Sequence, residues 1–221
     1  MFRGIRVVYF VAQMGDHWRD VVASQVGKLR ASGIMDSGAV CEAVVAGQEK
    51  IDIDGFDIVR RSAVSEYEYP ALQYISETAV SKQAILYMHT KGVSRGDTAG
   101  ERWRHYLMQQ NVERWRDCVQ EIKNGADVCG SLYVALTPRF KKLCCADNVF
   151  AGNFWWASGK YIQGLPYPQT QKNRWGAEGW IFLGNPIVSV IHNLTNGKPV
   201  TKTYPFGDKY YLGETTGGHM K

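Results

Sequence analysis

His89, Thr90 and Lys91 stand at the end of an apolar run, Ile85-Leu86-Tyr87-Met88, and immediately before Gly92. An imidazole and an ammonium delivered by a buried strand to a glycine turn suit an anionic ligand, because lysine serves phosphate as a point charge. In open α/β sheets the ligand crevice lies beyond the carboxyl ends of the strands, so chemistry is expected at that rim. Glu178, within Arg174-Trp175-Gly176-Ala177-Glu178, is the favoured base, with Asp147 and Asp208 as rivals. Burial beside Trp175 or Trp180 would raise its pKa by desolvation. The plainer view of each is a surface or capping carboxylate. In Asn153-Phe154-Trp155-Trp156, strand alternation puts Asn153 and Trp155 on one face, where an amide and an aromatic platform would suit a polyhydroxylated ring. Simple core packing is the alternative.

Periodicity supplies the elements that must hold these residues. Short apolar runs at Ile5 to Val11, Ala39 to Val45, Phe56 to Val59, the Ile85 run, Asp127 to Leu132, Val149 to Ala157 and Ile187 to Ile191 read as strands. Helical spacing falls between them: His17 to Ala31 with Asp16 as cap and Gly33 as stop, and Tyr69 to about Lys82 with Pro70 at an early position. Gly100 to Lys123 carries the clearest apolar stripe, and shorter helices are expected at Gly159 to Gln163 and Arg174 to Phe182. Strand-helix alternation predicts an α/β fold, with a central mixed, mostly parallel sheet flanked by helices, in a single domain over 1–221.

Composition narrows the classes. The 221 residues are 45% hydrophobic and 21% charged, which suffices for one sizeable core. A net charge of +5 is spread along the chain with no basic block, so it favours anionic ligands only weakly. Five cysteines, odd in number and without a CxxC pair, predict neither disulfides nor structural zinc and suit a reducing, cytoplasmic setting. No apolar run approaches the length of a membrane span.

The sequence has no GxGxxG after its first strand, no GxxxxGK[ST] and no GxSxG. That argues against dinucleotide oxidoreductases, P-loop enzymes and serine hydrolases. Tyr69-Pro70, Tyr87-Met88-His89-Thr90-Lys91-Gly92, the Trp103 to Cys118 helix, Gly152-Asn153-Phe154-Trp155-Trp156-Ala157 and Ala177-Glu178-Gly179-Trp180 remain. Over roughly 5–192 these resemble the small GT-A-type sugar transferases of bacteria and viruses, chlorella-virus capsid-glycan transferases among them. The resemblance implies a GT-A-like, Rossmann-related fold. Its donor-binding half would span about 1–95 and its acceptor half about 96–210, as a whole enzyme or one domain of a larger one.

It also implies transfer of a sugar from a nucleotide diphosphate, a UDP-sugar such as UDP-glucose or UDP-rhamnose, to a glycan or glycoprotein, with inversion. A viral chain would work in the host cytoplasm. Ala12, Gln13, Arg60, Ser62 and Tyr69 take the donor's base and ribose positions. Lys91, His89 and Thr90 face the diphosphate, Glu178 the acceptor, and Asn153 with Trp155 a sugar. His192, which opens a segment running to Gly197-Lys198-Pro199, would close over the pyrophosphate; a strand-capping histidine and a surface turn are the alternative. Most GT-A enzymes hold Mn²⁺ or Mg²⁺ through Asp-x-Asp where this sequence has His89-Thr90-Lys91. Either a metal is held elsewhere, since hard cations prefer oxygen ligands, or Lys91 replaces it. Two other classes stay open: a nucleic-acid-binding domain, suggested by Arg102-Trp103-Arg104 and Arg114-Trp115-Arg116, and a catalytically inactive sugar-binding module. Against the first, both tryptophans fall on the apolar stripe, so no nucleic-acid partner is expected.

Overall fold

The computed structural model describes residues 4–93, 98–170 and 173–192. Asp208 and the Gly197-Lys198-Pro199 turn lie outside the described residues. Seven strands form one sheet: β1 (Gly4–Ala12), β2 (Val40–Ala46), β3 (Asp57–Ser62), β4 (Gln83–His89), β5 (Val128–Ser131), β8 (Trp155–Ser158) and β9 (Val188–His192), in the order β3-β2-β1-β4-β8-β5-β9. Only β8 runs against its neighbours; every other pairing is parallel. The sheet is therefore the mixed, mostly parallel one that strand-helix alternation predicts. β6 (Tyr133–Ala135) and β7 (Asn148–Phe150) make a separate antiparallel pair.

The first four strands are doubly wound. From β1 the chain passes through α1 (Trp18–Ala31) to β2 on one side, and from β3 through α2 (Tyr69–Thr78) to β4 on the other. The strand order thus reverses between β1 and β4, which is the switch point where α/β sheets bind ligands. Successive side chains of β4 point to opposite faces. Val7, Val8, Tyr9, Val11 and the Ala84–Met88 run of β4 are all buried, as a strand covered on both faces requires. Tyr9 Oη donates to Gln25 of α1 at 2.8 Å, while Arg6 of the same strand bonds Thr78 of α2 at 2.7 Å from the opposite face.

Several predicted boundaries shift for identifiable reasons. β3 extends through Arg60, Arg61 and Ser62 because it pairs with β2 as far as Ala46. The helix after Tyr69 stops at Thr78, four residues short of Lys82. Asp16 makes no cap; His17 occupies that position without a side-chain bond. The single helix expected from Gly100 to Lys123 is α3 (Thr98–Met108), a π-helical turn (Gln109–Glu113) and α4 (Trp115–Lys123). That turn lets Asn111 accept from Trp156 Nε1 at 2.8 Å through its carbonyl and bond Ser131 through its amide at 3.1 Å. A buried polar group needs partners of this kind.

The run Val149 to Ala157 divides as well. It is β7 and then β8, separated by Ala151–Phe154, where Gly152 (φ +95°) and Asn153 (φ +54°) are left-handed. A Cβ on Gly152 would lie 2.6 Å from Leu107 Cδ1, so both backbone and space demand glycine there. The helix α5 (Pro138–Cys144) and the strand β6 have no counterpart in the sequence-based expectation. The short helices α6 (Gly159–Gln163) and α7 (Trp175–Gly179) form as expected, α6 capped by Ser158, whose hydroxyl accepts from Tyr161 N–H at 3.1 Å.

Candidate functional site

The switch point is closed by one strand-end contact: Thr90 N–H donates to Phe10 at 3.1 Å, and Thr90 Oγ1 accepts from Ala12 N–H at 3.0 Å. Thr90 and Ala12 therefore set the width of the crevice and keep little capacity for a ligand. Gln13 likewise spends its amide on the loop after β2, donating to Glu49 O and accepting from Glu49 N–H, each at 2.8 Å. Gly47 must be bare beside it, since a Cβ there would fall 2.2 Å from Gln13 Oε1. These bonds shape an open recess of about 650 Å³ at the ends of β2 and β3, lined by Gly47, Gln48, Lys50, Ile51, Arg61 and Ser62. Ser62 Oγ is buried there with no hydrogen-bond partner among the described residues. Arg60, one residue before Arg61 and on the opposite face of β3 from it, is tied to Glu77 at 2.6 Å and to the Pro70 carbonyl. The arginine at the recess is thus Arg61, not Arg60, with Lys50 beside it.

A second group gathers on the α2 face of β4. Tyr87 and His89, two apart and so on the same side, stack at 6.3 Å between ring centroids. Tyr87 lies against Trp155 at 5.0 Å, and Trp155 against Trp180 at 6.3 Å. Trp155 is only 1% exposed and donates through Nε1 to Asn153 Oδ1 at 3.0 Å. It is core, not a platform for a sugar. Tyr69 is also 1% exposed, donates to the Asn173 carbonyl at 2.9 Å and has its phenol pushed up to about 12 by burial. Its ring supports α2 and offers no face to a nucleotide base.

The polar members of this group are closely coupled. His89 Nε2 lies 2.8 Å from the Gly152 carbonyl, and that acceptor requires Nε2 to carry the proton. Burial lowers the His89 pKa below its usual value; Glu68 opposes that shift, and Lys91 and Arg174 reinforce it. His89 is then neutral at pH 7, with Nδ1 as an acceptor, and the cation of the His89-Thr90-Lys91 turn is Lys91 alone. Lys91 sits with Nζ 4.0 Å above the Trp103 ring, and its carbonyl accepts from Arg104 at 2.8 Å. Glu178 is 6% exposed on α7, and its charge, together with that of Glu68, follows burial in raising the Tyr87 phenol.

Glu68 itself was not a candidate in sequence. It precedes Tyr69-Pro70 and looks like an ordinary helix-start acid, yet its carboxylate meets Tyr87 and Asn153, 19 and 85 residues away. Arg174, also missed, is the second cation near His89. Of the rival bases, Asp147 is mostly exposed and pairs with Lys141 at 2.8 Å. His192 bonds Tyr106 Oη at 2.7 Å on β9, at the sheet edge three strands from β4, and is not brought to the group.

At the end of β4 itself Thr90 Oγ1 is engaged by Ala12 and Lys91 is a cation, so that strand end offers no carboxylate to a hard divalent ion. Among the described residues no group of three His, Cys, Asp or Glu could hold a metal, and none of the helices is long and apolar enough to cross a membrane. Residues 68–214 match the model of a family described as a domain of unknown function (DUF8361). No curated protein matches the chain.

Proposed function

The chain belongs to this family, DUF8361, on a match across most of its length, and we propose that it is a GT-A-like glycosyltransferase using a nucleotide-sugar donor. The observation that carries the reading is the polar cluster beside the β1/β4 switch point, where Glu68 bonds Tyr87 and Asn153, His89 stacks on Tyr87, and the charges of Lys91, Arg174 and Glu178 act on these rings. The recess at the ends of β2 and β3, with Arg61, Lys50 and the unpartnered Ser62 hydroxyl, suits a nucleoside beside it. The parallel, nucleotide-type half followed by a mixed, aromatic-rich half is the arrangement the GT-A resemblance implies.

In this reading an acceptor hydroxyl of a glycan or glycoprotein attacks the anomeric carbon. The bond from that carbon to the phosphate oxygen breaks, and its electron pair leaves with the diphosphate. The hydroxyl proton passes to Glu178, and a single displacement inverts the anomeric centre. Lys91 and Arg174 meet the charge that grows on the leaving group, where preorganised cations contribute most. His89, neutral, positions the ligand. UDP-glucose and UDP-rhamnose are the first donors to try.

The nucleic-acid reading is disfavoured by burial: Trp103 is 2% and Trp115 7% exposed, so neither ring is open to stack on a base. The test is release of UDP from UDP-glucose and UDP-rhamnose with a mixed-glycan acceptor. Glu178→Gln should keep donor binding and lose turnover by about 100-fold or more, and EDTA should leave the wild type unchanged. Full turnover in the variant removes Glu178 from the base role. Donor binding without hydrolysis or transfer by the wild type points to a sugar-binding module. Salt-dependent DNA binding with no nucleotide affinity refutes the transferase.

A further inference from the structure

Glu68 is held in a way its position at the start of α2 does not require. Its Oε2 accepts from Tyr87 Oη at 2.7 Å and from Asn153 Nδ2 at 2.6 Å, whereas Oε1 has no hydrogen-bond partner among the described residues. Asn153 cannot turn its amide over, because Oδ1 is committed to Trp155 Nε1 at 3.0 Å. The carboxylate is thus fixed to β4 through Tyr87 and to the turn before β8 through Asn153, with one oxygen left over. His89, whose ring stacks on Tyr87 at 6.3 Å, is in the same condition: Nε2 is engaged with Gly152, and among the described residues Nδ1 is an acceptor without a bond. Glu68 meets the hydroxyl end of Tyr87 and His89 stacks on its ring, so two fixed acceptors flank one side chain and suit a ligand with two hydroxyl donors. Neither open atom can donate, so a ligand carboxylate set against them would find no hydrogen bond and would meet the Glu68 charge.

We infer that Glu68 Oε1 and His89 Nδ1 bind two hydroxyls of the transferred sugar, and that this sugar is a neutral pyranose and not a uronic acid. The inference rests on the nucleotide-sugar reading above. Here Glu68 is a specificity-determining residue, and Tyr87 and Asn153 are positioning residues that act through it.

Glu68→Gln tests this without dismantling the site. The side-chain oxygen can take the place of Oε2 and accept from Tyr87 and Asn153; the NH₂ group then replaces Oε1, changing that atom from acceptor to donor. Calorimetry on the full chain would use UDP, UDP-glucose and UDP-glucuronate. Wild type should bind UDP-glucose at least about tenfold more tightly than UDP-glucuronate, and the variant should keep its UDP affinity while losing about tenfold or more for UDP-glucose. Equal affinity of wild type for the two sugars, or unchanged UDP-glucose binding by the variant, overturns the inference and leaves the transferase reading intact. The wild-type comparison holds whether or not the variant folds. Failure of wild type to bind any of the three ligands removes the nucleotide-sugar reading and the inference with it.

Discussion

Gly179→Ala places one methyl group where the fold has no room, on the helix that carries Glu178. A Cβ at Gly179 would lie 1.9 Å from the Cys144 carbonyl oxygen and 2.7 Å from its carbon, both backbone atoms at the end of α5. Neither can rotate aside, so α7 and α5 must separate by about 1.5 Å to restore ordinary contact distances. Overpacking of this kind costs about 1–3 kcal/mol. Alanine's better helix propensity returns at most about 1 kcal/mol, so the clash wins. For a chain of this size the net loss corresponds to a fall of roughly 3–8 °C in Tm. The same displacement carries Glu178 with it, and a misplacement of about 1 Å at a reacting group can cost about 100-fold in rate.

Calorimetric melting and UDP-release assays on the same preparation read both effects. Gly27→Ala is the matched control: the residue is exposed inside α1, nothing lies within 4 Å of its added Cβ, and the change should stabilise by about 0.5–1 kcal/mol. A Gly179→Ala protein that melts at or above the wild-type temperature refutes the packing argument. One that melts lower but turns over normally refutes the claim that the seating of α7 positions the base.

Two further perturbations probe the scaffold. Arg6 is 4% exposed and pairs with Glu42, which also accepts from Tyr74 Oη at 2.6 Å. Arg6→Leu strands a largely buried carboxylate and should cost about 3 kcal/mol in urea unfolding, whereas a loss below about 1 kcal/mol would mean that the pair is dispensable. His89 has a folded pKa below its unfolded value of 6.5, so between the two values the unfolded chain binds more protons. Stability should rise with pH through that window and lose the His89 dependence above it. His89→Gln should flatten this part of the profile, and an unchanged slope would assign it to other groups.

The elements whose burial is simplest were the ones legible in sequence. β1 and β4 are covered on both faces, so their apolar runs are continuous and each ends close to where the run ends. The stripe from Trp103 to Ile122 was correctly read as core, but its spacing did not reveal the π-helical turn. That turn exists because Trp156 and Ser131, from distant strands, take the bonds that Asn111 offers. The Asn153-Phe154-Trp155-Trp156 string was misleading for a related reason. Alternation assumes one strand, whereas left-handed Gly152 and Asn153 end one strand before the next begins, and tryptophans on both faces are buried.

The site divides along the same line. Sequence alone determined that a strand would bring His89, Thr90 and Lys91 to a sheet rim and that Glu178 would start a helix among tryptophans, because hydrophobic period and glycine turns are local properties. Only the tertiary structure decided what those groups became. It made His89 a neutral acceptor by burying it against Gly152, turned Arg60 away and Arg61 toward the recess, and left His192 at the far edge of the sheet. It also set Glu68 between Tyr87 and Asn153. Charge state and free valence depend on which groups meet through space, and those meetings are made by pairing β4 with β8 across more than 60 residues of chain.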